Sequence, residues 1–153
     1  MKTVLFLCSG NYYRSRFAEL LFNELAERAG LDWRADSAGL LVDAGSADGM
    51  LGNIGPISRD TVQALARRHI SVESPLRYPR HVRAADLTAA ARVVALNEPE
   101  HRPMLAEQFP QWAERTEYWH VPDLGEAPPN VGLSAVEREV EALIQTLRGA
   151  GRR

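Results

Sequence analysis

The chain has 153 residues, of which 45% are hydrophobic and 25% charged, a composition typical of one ordinary globular domain. Its 20 acidic residues outnumber 18 basic ones, which argues against a nucleic-acid partner because such proteins usually carry a basic surplus. No apolar run is long enough to cross a bilayer, so we expect no membrane partner. The single cysteine, Cys8, fits a reducing compartment. We therefore expect a cytoplasmic protein with one domain over residues 1–148 and a frayed tail over 149–153.

The chain opens with the pattern of a strand, a tight loop and a helix. Residues Lys2–Leu7 form a continuous apolar run, which is typical of a strand buried on both faces in a parallel sheet. From Ser15 to Ala29 the apolar residues recur at helical spacing between glutamates, and Gly30 follows. We therefore predict a first strand over Lys2–Leu7 and a first helix over Ser15–Ala29.

Later segments continue the alternation of strands and helices. The predicted elements are, in chain order, a strand over Trp33–Ser37, a loop over Gly39–Pro56, a helix over Ser58–Arg68, a short strand near Val72, a helix over Ala84–Ala91, a strand over Arg92–Leu96, a helix over Pro99–Phe109, a strand over Tyr118–Val121, a loop over Pro122–Gly132 and a helix over Ser134–Leu147. This order predicts an α/β fold of three layers, a doubly wound sheet of about four parallel strands with helices on both faces. Such folds bind ligands beyond the carboxyl ends of their strands, where Cys8 and Asp123 are expected.

The loop from Cys8 to Ser15 has the residue types of an anion site. Backbone N–H groups and a helix N-terminus converge there, and both favour a negative charge, whether a thiolate of Cys8 or a phosphate above it. Gly10 and Asn11 tolerate the left-handed backbone that such a loop needs, and the guanidinium of Arg14 matches two phosphoryl oxygens. The alternatives are a buried structural thiol for Cys8 and a solvated residue at a helix start for Arg14.

These residues resemble the signature of the low-molecular-weight protein tyrosine phosphatase family, and the resemblance extends over essentially the whole chain. Family members open with a strand, a Cys-x-Gly-Asn-x-x-Arg-Ser loop and a helix, as this chain does from Cys8 to Ser15. Weaker matches are Asp36–Gly39, Ser58–Ile70 and Val121–Asp123, the last resembling the segment that bears the family's general acid. The resemblance implies the fold called phosphotyrosine phosphatase I-like.

The resemblance also implies a role for each matching residue. Cys8 would attack phosphorus and form a phosphocysteine intermediate, and Asp123 would protonate the leaving oxygen and then activate water. The residues implied to bind phosphate are Ser9, Gly10, Asn11, Tyr12, Tyr13, Arg14 and Ser15. Ser15 would hydrogen-bond the thiolate, and Asn11 would brace the loop against Ser37. The implied mechanism uses no metal and no cofactor. The alternative for Asp123 is an ordinary loop or N-cap aspartate.

The chain departs from the family pattern at four places. Asp123 is followed by Leu124-Gly125 where members usually have a proline and an aromatic residue. Tyr13 stands where many members have a second cysteine, so a protective disulfide within the loop is impossible. The tryptophan-bearing specificity loop of the family corresponds loosely to Asp48–Gly52, which has no aromatic residue. A histidine that often supports the loop is replaced near Ser74.

Two neighbouring tyrosines in the loop are the most unusual feature of the sequence. The ring of Tyr12 is either a pocket wall on which an aryl phosphate stacks or a packing residue, whereas we expect the ring of Tyr13 to pack away from the phosphate. The four histidines show no metal-ligand spacing.

The sequence therefore predicts a phosphatase that hydrolyses phosphate monoesters, with a phosphotyrosine protein or a small aryl phosphate as substrate and phosphate or sulfate as ligand. Three alternatives remain open. One is a phosphate- or phosphoprotein-binding module that has lost turnover, which the altered segment after Asp123 favours. Another is a thiol-coupled arsenate reductase, which the single cysteine disfavours. The third is a phosphoryl carrier that keeps phosphate on Cys8.

Overall fold

Four parallel strands form the centre of the computed structural model, which describes residues 1–42, 55–72 and 76–150. The elements are β1 Lys2–Cys8, α1 Arg14–Arg28, β2 Trp33–Gly39, α2 Arg59–Arg67, α3 Ala84–Ala89, β3 Arg92–Ala95, α4 Glu98–Gln108, a 3₁₀ turn Pro110–Trp112, β4 Glu117–Tyr118 and α5 Pro129–Ala150. The strand order is β2-β1-β3-β4, with every pairing parallel. The predicted α/β fold is confirmed.

Strand β1 lies between β2 and β3 and is covered on both faces. Val4, Phe6 and Cys8 belong to one cluster of buried side chains, and Leu5 and Leu7 belong to a second. This alternation follows from the strand period of two residues, which sends successive side chains to opposite faces. Because both faces are buried, a continuous apolar run forms the strand, as the sequence predicts.

The helices divide between the two faces of the sheet. Helices α1, α2 and α5 contribute to the cluster that contains Phe6, whereas α3 and α4 contribute Leu87 and Leu105 to the other. Helix α1 ends where Gly30 takes a φ of 66°, a conformation that glycine adopts without a steric penalty. The resulting three layers place the β1–α1 loop at the carboxyl edge of the sheet. No helix in the described ranges is both long and apolar enough to cross a membrane.

The fourth strand and the segment near Val72 differ from their predictions. Strand β4 covers Glu117–Tyr118 and not Tyr118–Val121. Beyond it, Trp119 and Val121 still donate hydrogen bonds to carbonyls of Ala95 and Leu96, but as single contacts outside a regular ladder. The predicted strand near Val72 is wrong as far as the described residues extend, since Ser71 and Val72 are not in a strand. The predicted loop over Gly39–Pro56 lies mostly outside the described residues.

Helix α5 is longer than predicted at both ends. It begins at Pro129, inside the predicted loop over Pro122–Gly132, because proline fits the first helical turn, where its missing N–H has no partner to lose. It continues to Ala150, so Gly149 and Ala150 are helical and do not belong to a frayed tail.

Candidate active site

The loop between β1 and α1 directs its carbonyl groups towards the surrounding chain. The carbonyls of Cys8, Ser9, Tyr12 and Tyr13 accept hydrogen bonds from the N–H groups of Leu40, Leu41, Ser58 and Phe17, respectively. In a trans peptide the N–H group points opposite to the C=O group, so the N–H that follows each of these carbonyls faces the inside of the loop. Asn11 takes a φ of 50°, which turns the chain within the loop. This geometry can hold an anion.

The Cys8 thiol lies at the base of this loop, against the hydroxyl of Ser15. The distance from Cys8 Sγ to Ser15 Oγ is 2.9 Å. Ser15 Oγ also accepts a hydrogen bond from Asn11 Nδ2 at 2.9 Å, so its own hydrogen is available for the sulfur. Cys8 is only 2% exposed, and Ser15 is fully buried. The hydroxyl is therefore placed to donate to a thiolate.

Asn11 is held from several directions. Its Nδ2 also donates to Ser37 Oγ at 2.9 Å, and its Oδ1 accepts from Arg77 Nη1 at 2.9 Å and from the Arg80 N–H at 3.2 Å. The structure thus brings together Asn11, Ser15 and Ser37, the three residues predicted to support the loop. It adds Arg77, which the sequence analysis did not select.

Arg14 is buried beside the loop, with 2% of its side chain exposed, and its guanidinium is already engaged. Nη2 lies 2.7 Å from Glu100 Oε2, and Nη1 lies 3.3 Å from Glu100 Oε1 and donates to the Val121 carbonyl at 3.0 Å. Burial alone would lower the pKa of Arg14, but the Cys8 sulfur, Glu100 and Asp123 raise it. Arg14 therefore keeps its positive charge. Its contacts with Glu100 of α4 and with the Val121 carbonyl after β4 fix the plane of the guanidinium.

Glu100 and His101, at the start of α4, form a polar cluster next to the loop. The Glu100 carboxylate accepts from the Ser9 hydroxyl and lies 2.9 Å from His101 Nε2. Burial alone would raise the pKa of Glu100, but hydrogen bonds from His101, Arg14 and Ser9 hold it well below its usual range. Burial lowers the pKa of His101, whose Nδ1 accepts the Asn97 N–H, so the neutral ring carries its hydrogen on Nε2. Glu100 is thus ionised at neutral pH, and its carboxylate contacts both Arg14 and Ser9.

Asp123 lies at the rim of the site. Its Oδ2 is 3.6 Å from Arg14 Nη2, and its side chain is 46% exposed. Its Oδ1 accepts the Leu124 N–H at 2.9 Å, and its carbonyl accepts the N–H groups of Glu126 and Ala127. Asp123 therefore begins a hydrogen-bonded turn that continues through Leu124 and Gly125, and its carboxylate reaches the side of Arg14.

The two loop tyrosines occupy different environments. Tyr12 is half-buried. Tyr13 is 4% exposed and belongs to the same buried cluster as Phe6. Burial, together with the charges of Asp60 and Asp123, raises the pKa of Tyr13 to about 12. The ring of Tyr13 thus packs in the core, and only the Tyr13 backbone forms part of the loop between β1 and α1.

Two segments that the sequence comparison with the family singled out cannot be placed relative to the loop. Asp48–Gly52 and Ser74 lie outside the described residues. Within residues 1–42, 55–72 and 76–150, no group of three or more His, Cys, Asp or Glu side chains is arranged to hold a metal ion.

Glu100, His101 and Arg77 are the polar neighbours of the loop that the sequence analysis missed. A signal existed for Glu100 and His101, because they follow β3 at the carboxyl edge of the sheet, where parallel α/β folds place ligands. Arg77 lies in irregular chain between two prolines, and no local pattern distinguishes it from the other arginines.

A cysteine and an arginine on a loop between a parallel strand and a helix define a class of α/β proteins that hold an anion beside a thiol. Comparison with known proteins gives the family. The model described as "Low molecular weight phosphotyrosine protein phosphatase" matches residues 3–150. The chain therefore belongs to the low molecular weight phosphotyrosine protein phosphatase family, as the signature loop predicts.

Relatives with two different names match this chain. A protein-arginine-phosphatase of Bacillus subtilis is 30% identical over 115 residues, which are 73% of this chain and 66% of that protein. A low molecular weight protein-tyrosine-phosphatase of the same organism is 35% identical over 99 residues, which are 63% of this chain and 57% of that protein. The crystal structure of a low molecular weight protein tyrosine phosphatase from T. tengcongensis is 28% identical, with a TM-score of 0.73, and the match covers 96% of this chain and 97% of that one.

Proposed function

We propose that this protein is a phosphatase that hydrolyses phosphate monoesters through a phosphocysteine on Cys8. The observation that supports it most is the 2.9 Å contact between Cys8 Sγ and Ser15 Oγ inside a loop whose N–H groups face inwards. A hydroxyl that donates to sulfur stabilises the thiolate, which is the nucleophilic form. Inward N–H groups and the charge of Arg14 stabilise a phosphoryl group whose equatorial oxygens gain charge during transfer.

The proposed reaction has two displacement steps. In the first, Cys8 Sγ attacks phosphorus, the bond from phosphorus to the leaving oxygen breaks, and Asp123 gives its proton to that oxygen. In the second, the Asp123 carboxylate takes a proton from water, the water oxygen attacks phosphorus, and the phosphorus–sulfur bond breaks to return the thiolate. The position of Asp123 at the exposed rim, 3.6 Å from Arg14, supports its assignment as the acid and base.

We propose phosphotyrosine in proteins, or a small aryl phosphate, as the substrate, and phosphoarginine as the second candidate. The aromatic residue Tyr12 within the loop, which is half-buried, supports an aryl substrate, because an aromatic ring beside a phosphate site can form the wall on which an aryl group stacks. The name of the 30% identical relative, a protein-arginine-phosphatase, favours the second candidate. Equal enzyme concentrations tested on a phosphotyrosine peptide, a phosphoserine peptide and a phosphoarginine peptide separate them by kcat/KM. We also propose that the protein acts in the cytoplasm, since its one thiol needs a reducing compartment.

The mechanism predicts the behaviour of two variants. With para-nitrophenyl phosphate and no added metal, the wild type turns over, and Cys8→Ser abolishes hydrolysis because the hydroxyl is a far weaker nucleophile. Asp123→Ala lowers kcat by about 10²- to 10⁴-fold, the usual contribution of a general acid. The loss is larger for phenyl phosphate, whose leaving group needs protonation more.

Three results contradict the proposal. Equal losses for both esters in Asp123→Ala exclude Asp123 as the acid. Stoichiometric phosphate binding by the wild type with no turnover of any ester or of the phosphoarginine peptide indicates the binding module. A phosphocysteine that water does not release indicates a phosphoryl carrier.

A further inference from the structure

The amide of Asn11 decides where the hydroxyl hydrogen of Ser15 points. Asn11 Nδ2 donates to Ser15 Oγ, which leaves the Ser15 hydrogen free for Cys8 Sγ. If the amide were flipped, its oxygen would face Ser15 and would attract that hydrogen away from the sulfur. The orientation of one amide therefore controls whether the thiolate receives a hydrogen bond.

Arg77 is the side chain that fixes this orientation. Its Nη1 donates to Asn11 Oδ1 at 2.9 Å, and the only other donor to that oxygen in the described part of the chain is the Arg80 N–H, at 3.2 Å. A flipped amide would place its NH₂ group against both donors. Arg77 Nη2 also donates to the carbonyl of Ser37 at 2.9 Å and to Ser37 Oγ at 3.1 Å, so the Ser37 hydroxyl accepts from Arg77 and from Asn11 and donates to Glu19.

Arg77 is itself held in place from both ends. Its carbonyl accepts a hydrogen bond at 3.1 Å from Nη1 of Arg16, which is 2% exposed and lies on α1 next to the loop. Its guanidinium lies 3.4 Å from a Glu19 oxygen and 3.5 Å from an Asp36 oxygen. These contacts connect an irregular segment, distant in sequence, to the first strand–loop–helix unit.

We propose that Arg77 is a positioning residue of the active site, which acts through Asn11 and Ser15 to keep a hydroxyl hydrogen directed at the Cys8 thiolate. The proposal rests on the proposed function in treating the thiolate as the reactive group. Arginine suits the position because one planar fork reaches the amide of Asn11 and two oxygens of Ser37 at once, and lysine, with one nitrogen, cannot span them.

The test follows the reactivity of Cys8 without any phosphatase assay. Cys8 is the only cysteine, so the rate of alkylation by iodoacetamide, measured from pH 4 to pH 10, reports its thiolate alone. In Arg77→Met, which keeps an aliphatic stem and loses every donor, the pH midpoint of alkylation rises by about one unit, as expected when one hydrogen bond to the thiolate is lost. Arg77→Lys raises the pH midpoint of alkylation as well. If Arg77→Met does not fold, the midpoint of Arg77→Lys is the result that tests the proposal.

Two controls separate this role from a general loss of structure. Arg68→Ala removes a guanidinium that is 24% exposed and pairs with Glu137 away from the loop, and it leaves the midpoint unchanged. In an Asn11→Ala background, Arg77→Met produces no further shift, because the residue through which it acts is gone. A wild-type midpoint in both Arg77 variants overturns the proposal, as does an equal shift in the Asn11→Ala background. Failure of the proposed function looks different, since no phosphate ester is then turned over while the alkylation midpoints still report on Arg77.

Discussion

At the scale of single residues, Tyr13 places a buried phenol hydroxyl next to the site. The hydroxyl of Tyr13 has no hydrogen-bond partner among the described residues. It faces Gly132 of α5, where a Cβ atom would approach it to 2.9 Å, so helix and ring are in close contact with no room for an intervening group. A buried hydroxyl that gives up its bond to water and gains none costs free energy.

We expect Tyr13→Phe to raise the free energy of unfolding by about 1 kcal/mol, because it removes the unpaired hydroxyl and keeps the ring. Urea unfolding at pH 7, with the m-value compared, measures the change. Tyr118→Phe is the matched control: its hydroxyl donates to the Ala113 carbonyl at 2.7 Å, and its loss should lower stability by about 1 kcal/mol. A loss of stability in Tyr13→Phe would show that the hydroxyl has a partner in solution.

Single residues of the signature loop were predictable because their spacing is local. Cys8, Asn11 and Ser15 lie in one short loop of the sequence. Their residue types alone indicate a thiol, a residue that tolerates left-handed backbone, and a hydroxyl at the start of a helix, respectively. Arg77 contacts Asn11 from 66 positions away and Glu100 contacts Ser9 from 91 positions away, so only tertiary structure reveals them. Their pattern in the sequence is that of ordinary charged residues.

At the scale of elements, the start of α4 adds a charged cluster to the loop between β1 and α1. Glu100 is 20% exposed and contacts Arg14, Ser9 and His101. Its pKa is held below its usual range, so it remains ionised in the folded protein at pH values where the unfolded chain takes up a proton. The stabilisation that this carboxylate gives to the fold is therefore complete above its ordinary pKa of 4.5 and decreases progressively as the pH falls below that value.

We expect Glu100→Gln to lower the free energy of unfolding by about 2 kcal/mol at pH 7, the value of hydrogen bonds to a charged group. The difference in unfolding free energy between the variant and the wild type should stay constant down to about pH 5. It should shrink below the ordinary pKa of 4.5, because Glu100 is then protonated in the unfolded wild type and still ionised in the folded protein. Urea titrations at pH 7, 5, 4 and 3 measure it. Glu107→Gln, on the exposed face of the same helix, is the control. A difference that does not change with pH contradicts the role of the charge.

Elements with a strong pattern were predicted well and short ones were not. Strand β1 and helix α1 follow directly from the apolar run and the helical stripe, with bounds that differ by one residue. Strand β4 has only two residues in the ladder, too few for any alternation to be visible. The start of α5 was missed because a pair of prolines reads as loop, although the second of them suits a first helical turn.

At the scale of the whole molecule, one sheet carries two buried clusters. Helices α1 and α5 cover one face and α3 and α4 the other, and β1 contributes alternate side chains to both. Because β1 belongs to both clusters, loss of packing in either cluster exposes a strand on which the other cluster also packs. This shared sheet supports the prediction that residues 1–148 form one domain.

We therefore expect the chain to unfold in a single transition, whichever face is weakened. Leu105→Ala on α4 and Leu133→Ala on α5 each remove a buried side chain from one face, and each should lower stability by about 2–5 kcal/mol. In urea titrations, far-UV circular dichroism should report the same midpoint as tryptophan fluorescence, which senses Trp112 on one face and both Trp33 and Trp119 on the other. Separate midpoints in either variant would show that the two faces unfold independently and that the single-domain prediction is wrong.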